Sequence, residues 1–170
     1  MRFFKIVFFI LCSLFSCTSD RIATVDTSTI DVNFSVKRYE IDFYNTSKEN
    51  LPDLKRKYPY FFPKSFTDSI AIAKINNKDE QQLFKETQKI FTNISGLQAE
   101  LTALFKHIKF YNPTFSSPDI VTLISNIDYN SSIIYADSLL LVSLDMYLGK
   151  EHDFYADFPI YIKETYTKEH

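Results

Sequence analysis

The chain contains no tryptophan, two glycines (Gly96 and Gly149), two cysteines (Cys12 and Cys17) and three histidines (His107, His152 and His170). Glycines so widely separated cannot form the glycine-rich turn that cradles a phosphate, which argues against nucleotide binding. A zinc site needs several ligands converging on one point, usually announced by a pair such as H-E-x-x-H on one helical face. The sequence has no such pair, so each histidine reads as a solvated surface residue, and neither a metal nor another cofactor is expected. Basic stripes are lacking as well. With a net charge of -2 the protein gains nothing from phosphate attraction, so nucleic acid is not an expected partner.

The apolar run Ile6 to Phe15 follows the basic start Met1-Arg2-Phe3-Phe4-Lys5 and ends before Thr18-Ser19-Asp20-Arg21. A membrane-spanning helix needs about 20 apolar residues, and this run is shorter; the order is that of a signal peptide. Leu14-Phe15-Ser16-Cys17 resembles the lipobox of bacterial lipoproteins, in which an aliphatic residue, a small residue and then the cysteine stand in this order. The expectation is cleavage before Cys17 and attachment of lipid, with palmitate-type chains, to its thiol. At about 0.8 kcal/mol per buried methylene, two or three such chains make a durable anchor. Thr18 rather than aspartate after the cysteine favours the outer membrane, so a periplasm-facing, lipid-anchored position in the cell envelope is expected. Cys12 leaves with the signal, so the mature chain has no thiol pair for a disulfide. Its 154 residues carry 17 basic and 21 acidic side chains, a net charge of -4, and suffice for one domain with a real core.

The expected organisation is a signal peptide over 1–16, a flexible tether over 17–28 and a single domain over 29–170. Ile30, Val32, Phe34 and Val36 alternate with Asp31, Asn33, Ser35 and Lys37, the period of a half-buried strand. Short helices are expected over Asn50 to Lys57, stopped by Pro59, and over Phe66 to Ile75. From Lys78 to Phe91, residues Leu83, Phe84, Thr87, Ile90 and Phe91 share one helical face, and Asn77 with Glu80 has capping-box spacing. Ser95 and Gln98 repeat that spacing ahead of a helix expected to bury Leu97, Leu101, Leu104, Phe105 and Ile108, before Asn112-Pro113 breaks it. His107 lies off the apolar stripe, near the negative end of that helix.

After Pro118 the texture changes. Ile120 to Ile124, Ser132 to Tyr135 and Leu139 to Leu144 are short apolar runs parted by turn-forming residues, and are expected to form a three-stranded antiparallel meander. Their apolarity predicts cover on both faces. Gly149 is expected to close the last strand, and Phe154 to Tyr166 to form one or two short helices with Pro159 at a start. The fold class is α+β.

Carboxylates offer the remaining chemistry. Asp128, Asp137 and Asp145 lie in or beside the meander, and two of them would suit an acid-base pair. Turn formation accounts for Asp128 and Asp137, however, and an outward strand position for Asp145; no nucleophile accompanies them, so no catalytic residue is assigned. Tyr58-Pro59-Tyr60-Phe61-Phe62-Pro63 packs aromatics between prolines. It reads as a recognition surface or as a lid buried on the core, and the area of its rings favours the lid.

On Asn50-Leu51-Pro52-Asp53-Leu54, Tyr58 to Pro63, Leu104 to Lys109 and above all Asp128 through Asp137-Ser138 to Gly149-Lys150, the sequence resembles the gliding motility lipoproteins called GldB. The resemblance implies an envelope lipoprotein associated with gliding and its linked secretion machinery, with proteins of that machinery as partners. It also implies a likeness to zinc-peptidase (zincin-like) domains, in which a meander precedes the metal-holding helix. Family members continue beyond the position of His170, so the domain is expected to be incomplete relative to them. The leading expectation is a membrane-anchored component acting non-catalytically through protein binding. The alternative is the front part of a zinc-peptidase-like enzyme, active or degenerate. A carrier for a small apolar ligand is a third reading, resting on the aromatic segment alone.

Overall fold

The computed structural model describes residues 25–167. Its four-stranded sheet comprises β1 (Val36–Arg38), β2 (Asp119–Leu123), β3 (Ile133–Ala136) and β4 (Leu139–Ser143), in the order β1-β2-β4-β3. Among the described residues six α-helices accompany it: α1 (Tyr39–Tyr44), α2 (Leu51–Lys57), α3 (Asp68–Ile75), α4 (Lys78–Ile90), α5 (Ser95–Tyr111) and α6 (Ile160–Lys163). The fold is α+β.

The strands do not form a meander. β2 lies parallel to both β1 and β4, and only the β3–β4 hairpin is antiparallel. The connection from Leu123 to Ile133 is long enough to step past one strand, so β4 returns to the inner position. Leu139-Leu140-Leu141-Val142 suits that place because its neighbours cover both faces. Val121, Leu139 and Leu141 pack with Phe43, Leu51, Leu54, Tyr58 and Ala71 on one side. Ile120, Leu140 and Val142 pack with Leu101 and Phe105 of α5 on the other. Strands buried on two faces read as continuous apolar runs for this reason. The expected cover stops short of β3, all four residues of which are exposed.

The alternation at residues 30–36 is real, but its cause differs from the one expected. Ile30, Val32, Phe34 and Val36 are half-buried while Asp31, Asn33 and Ser35 are exposed, yet the strand begins only at Val36. Ahead of it the chain runs over α5, with the Phe34 ring edge-on to Phe105 at 5.1 Å and the Lys109 ammonium donating to the Asp31 carbonyl at 2.8 Å. An extended segment laid on a helix buries every second side chain just as a sheet strand does.

The caps are also only partly as the spacing suggests. Asn77 Oδ1 accepts the Asp79 and Glu80 N–H groups at 2.9 and 3.0 Å. The Glu80 carboxylate does not reach back; it accepts from the Tyr44 hydroxyl and the Lys74 ammonium, both at 2.8 Å. At α5 the Ser95 side chain makes no cap, and Asn93 Oδ1 accepts the Ser95 N–H instead. Leu101 and Phe105 of α5 are buried, whereas Leu104 is half exposed, because the stripe facing the sheet is narrower than the run of apolar residues.

Beyond β4 the chain turns through Leu144–Met146 rather than extending to Gly149, whose φ of 107° serves a later turn. A third cluster closes this end, with Met146, Leu148, Tyr155 and Tyr166 around Leu83 of α4.

Candidate interaction surface

Three chemical features stand out around the sheet: a buried ion pair, a carboxylate that grips a strained loop, and an open strand edge. Glu40, three and four residues before Phe43 and Tyr44, falls on the buried face of α1. Its carboxylate accepts from Arg38 Nε at 2.5 Å and from the Thr122 hydroxyl of β2 at 2.6 Å. Arg38 also donates to Gln88 Oε1 at 3.2 Å. These contacts tie β1, α1, β2 and α4 together. The pair was not legible as a site, although the helical spacing of Glu40 to Phe43 and Tyr44 carries the signal.

Asp145 is not an outward strand residue. It is fully buried in the turn after β4, because the strand ends at Ser143. One carboxylate oxygen accepts the Ser125 N–H at 2.9 Å and the other the Ile127 N–H at 2.7 Å, with the Ser125 hydroxyl 3.2 and 3.3 Å away. Burial pushes the Asp145 carboxyl above the usual range, and these donors oppose the rise. Between them, Asn126 and Ile127 both have a φ of 61°. For a β-branched residue that left-handed conformation is a genuine outlier, held here by the surrounding bonds. The Tyr155 hydroxyl braces the other side, donating to the Asp145 carbonyl at 2.5 Å and accepting the Leu148 N–H at 3.0 Å.

The network continues to the strand edge. The Ser125 hydroxyl oxygen accepts the Asp128 N–H at 3.1 Å, and Asp128 accepts from the Asn130 N–H at 3.0 Å and the Ser131 hydroxyl at 2.7 Å. Those bonds hold the Asp128 carboxyl below its usual range, with the Ser131 hydroxyl contributing most. Ser143 then fixes the start of β3, its hydroxyl donating to the Ser131 carbonyl at 2.6 Å and its N–H to the Ser132 carbonyl at 2.9 Å. Asp128 is thus the turn former that its position suggests. Asp137, exposed with a φ of 52°, occupies the β3–β4 turn. The three aspartates serve three local tasks and make no acid-base pair.

His107 is exposed on α5. His152 is half-buried rather than solvated: its Nδ1 accepts the Phe154 N–H at 3.3 Å, and its ring stacks on Phe154 with centroids 5.3 Å apart. Cys17 and His170 lie outside the described residues. Among the described residues, no group of three or more His, Cys, Asp or Glu side chains is placed to hold a metal ion, and no helix is long and apolar enough to cross a membrane.

The aromatic segment is a lid. Tyr58 is fully buried and its hydroxyl donates to Asp42 at 2.5 Å, while the Tyr39 ring lies 5.0 Å from Tyr58 and 4.2 Å from Phe61. Beneath it, a cavity of about 180 Å³ touches Tyr39, Phe61, Phe66, Lys74 and Leu123. Small-molecule sites run from roughly 300 to 1,000 Å³, so the cavity gives the apolar-ligand reading no support.

Compared with known families, residues 20–170 match the one described as gliding motility protein GldB. The chain belongs to the GldB family. That places it among proteins associated with gliding motility, and the family's designation is that of a cell-envelope lipoprotein. No curated protein and no solved structure is similar enough to match. For this GldB member, the described residues present a braced strand edge that pairs on one side only.

Proposed function

We propose that this protein is a lipid-anchored lipoprotein of the gliding-motility apparatus that acts without catalysis, by binding other envelope motility or secretion proteins. The match of residues 20–170 to the GldB family carries this reading. The sequence order Lys5, apolar run, Leu14-Phe15-Ser16-Cys17 supports the anchor, with the signal over 1–16, the tether over 17–28 and the domain from 29 onward. In this account Cys17 bears the lipid and the domain faces the periplasm from the outer membrane. The exposed apolar side chains on β3 support binding as the mode of action.

Deleting the gene in the native host tests the assignment. The expected outcome is cells that no longer spread on a surface and that secrete less protein through the linked machinery. Normal spreading together with normal secretion would contradict it.

A further inference from the structure

Strand β3 closes one side of the sheet and, among the described residues, pairs only with β4. Its side chains are apolar and exposed on both faces: Ile133 at 56%, Ile134 at 39% and Tyr135 at 61%. The orientation of its backbone groups follows from the ladder. Ser143 N–H donates to the Ser132 carbonyl, and Ile134 pairs with Leu141 and Ala136 with Leu139. In an antiparallel pair, hydrogen-bonded positions alternate with positions whose N–H and C=O point away. Ser132, Ile134 and Ala136 therefore face β4, and Ile133 and Tyr135 direct their backbone groups off the sheet.

Edges of this kind are ordinarily blunted by lysine, proline, a bulge or a covering element. Ile133-Ile134-Tyr135-Ala136 contains neither lysine nor proline, and its register with β4 runs without a bulge. The bonds from Asp145 through Ser125, Asp128 and Ser131 to Ser143 hold the strand in place before any partner arrives. Such pre-organisation reduces the cost of ordering on binding.

Charge selects the occupant. No lysine, arginine or histidine occurs between Lys109 and Lys150. Asp137, exposed, directly follows β3, and Asp128 lies five residues ahead of it in the turn that leads into the strand. A second copy pairing antiparallel would set the Asp137 end of one strand toward the turn that holds Asp128 in the other, and parallel pairing would set like residues side by side. Both arrangements bring negative charges together. We propose that the free edge of β3 takes up an extended segment of another protein as a fifth strand, apolar in its centre and basic at its ends. The proposal rests on the protein-binding reading above and adds the place and the chemistry of the partner.

Tyr135→Pro tests it with little disturbance of the fold, because it removes an N–H that points away from β4 and sits on an edge strand, where proline is tolerated. Ile133→Lys, at an exposed side chain, is the second variant. The probe is a peptide of alternating valine and threonine with a lysine at each end, against the same peptide ending in glutamates, added to the purified full chain. The lysine peptide is expected to bind about ten-fold more tightly than the glutamate peptide and to slow exchange of the Ile133 and Tyr135 amides. Either variant should weaken that binding about ten-fold while circular dichroism stays that of the parent. Failure of the lysine peptide to bind, equal affinity for both peptides, or unchanged binding by Tyr135→Pro would overturn the proposal. So would protection of the same amides in a dimer without peptide. In the native host, parent-like spreading of Tyr135→Pro cells where the deletion strain fails to spread would sink the edge and leave the gliding assignment intact. Parent-like spreading of the deletion strain would strike the assignment itself.

Discussion

The carboxylate of Asp145 accepts the backbone N–H of Ile127 at 2.7 Å, and the residue it grips has a φ of 61°. Two adjacent non-glycine residues in the left-handed region, Asn126 and Ile127, persist because the buried carboxylate fixes the backbone on either side of Asn126. Left-handed geometry costs roughly 1–2 kcal/mol for an L-residue, less for asparagine. One buried carboxylate thus sets the course of the chain between β2 and the β3 edge.

Asp145→Ala should therefore destabilise the domain by about 1–3 kcal/mol, the cost of leaving buried N–H groups unpaired. Asp145→Asn should recover only part of this loss, since its amide places N–H donors against the N–H of Ser125 or Ile127. Asn126→Val should cost about 1–2 kcal/mol and Asn126→Gly should be close to neutral. Urea unfolding followed by circular dichroism measures each. Parent-like midpoints for Asp145→Ala would show that the carboxylate does not hold the loop.

Arg38 and Glu40 form a pair in which the carboxylate is fully buried and the guanidinium largely so. Removing one partner strands the other charge in the core. Glu40→Leu and Arg38→Met should each cost about 3–5 kcal/mol, and the double variant should cost clearly less than their sum. A double-mutant cycle on unfolding free energies gives the coupling; additive losses would show that the two side chains act independently.

Asp119 at the start of β2 accepts the Ser35 N–H at 2.8 Å and lies 3.6 Å from the Lys37 ammonium. The backbone bond from Ser35 is the main cause that holds its carboxyl below the ordinary 3.8. A folded-state value below the unfolded one means that its stabilisation is present above pH 3.8 and is lost as pH falls through the folded value. Asp119→Asn should flatten that part of the acid limb of a stability-versus-pH curve. The direct measurement is NMR titration of the Asp119 carboxyl carbon, where a midpoint at or above 3.8 would contradict the argument.

Much of this fold was legible because local rules and tertiary packing agree. Leu83, Phe84 and Thr87 share a helical face and are buried together on α4, and Asn77 caps that helix as its position suggests. The strand pairing was not legible, because apolarity marks Leu139 to Val142 as buried on both faces without saying which strand lies beside it. The burial of Asp145 is hidden from the sequence for a related reason. A carboxylate following an apolar run reads as a solvent-facing residue, and only the loop leaving β2, with Ser125 and Ile127, supplies its donors. Likewise, a run such as Ile133-Ile134-Tyr135 predicts cover, and its exposure emerges only once the helices are seen to stop at β4.

A chromosomal Cys17→Ala replacement tests most directly the proposal that this protein takes part in surface movement as a lipid-anchored component. The variant chain should still be produced, should remain unlipidated by mass spectrometry, and should leave cells unable to spread on a surface. Spreading equal to that of the parent strain, with the unlipidated chain present at normal abundance, would contradict the account.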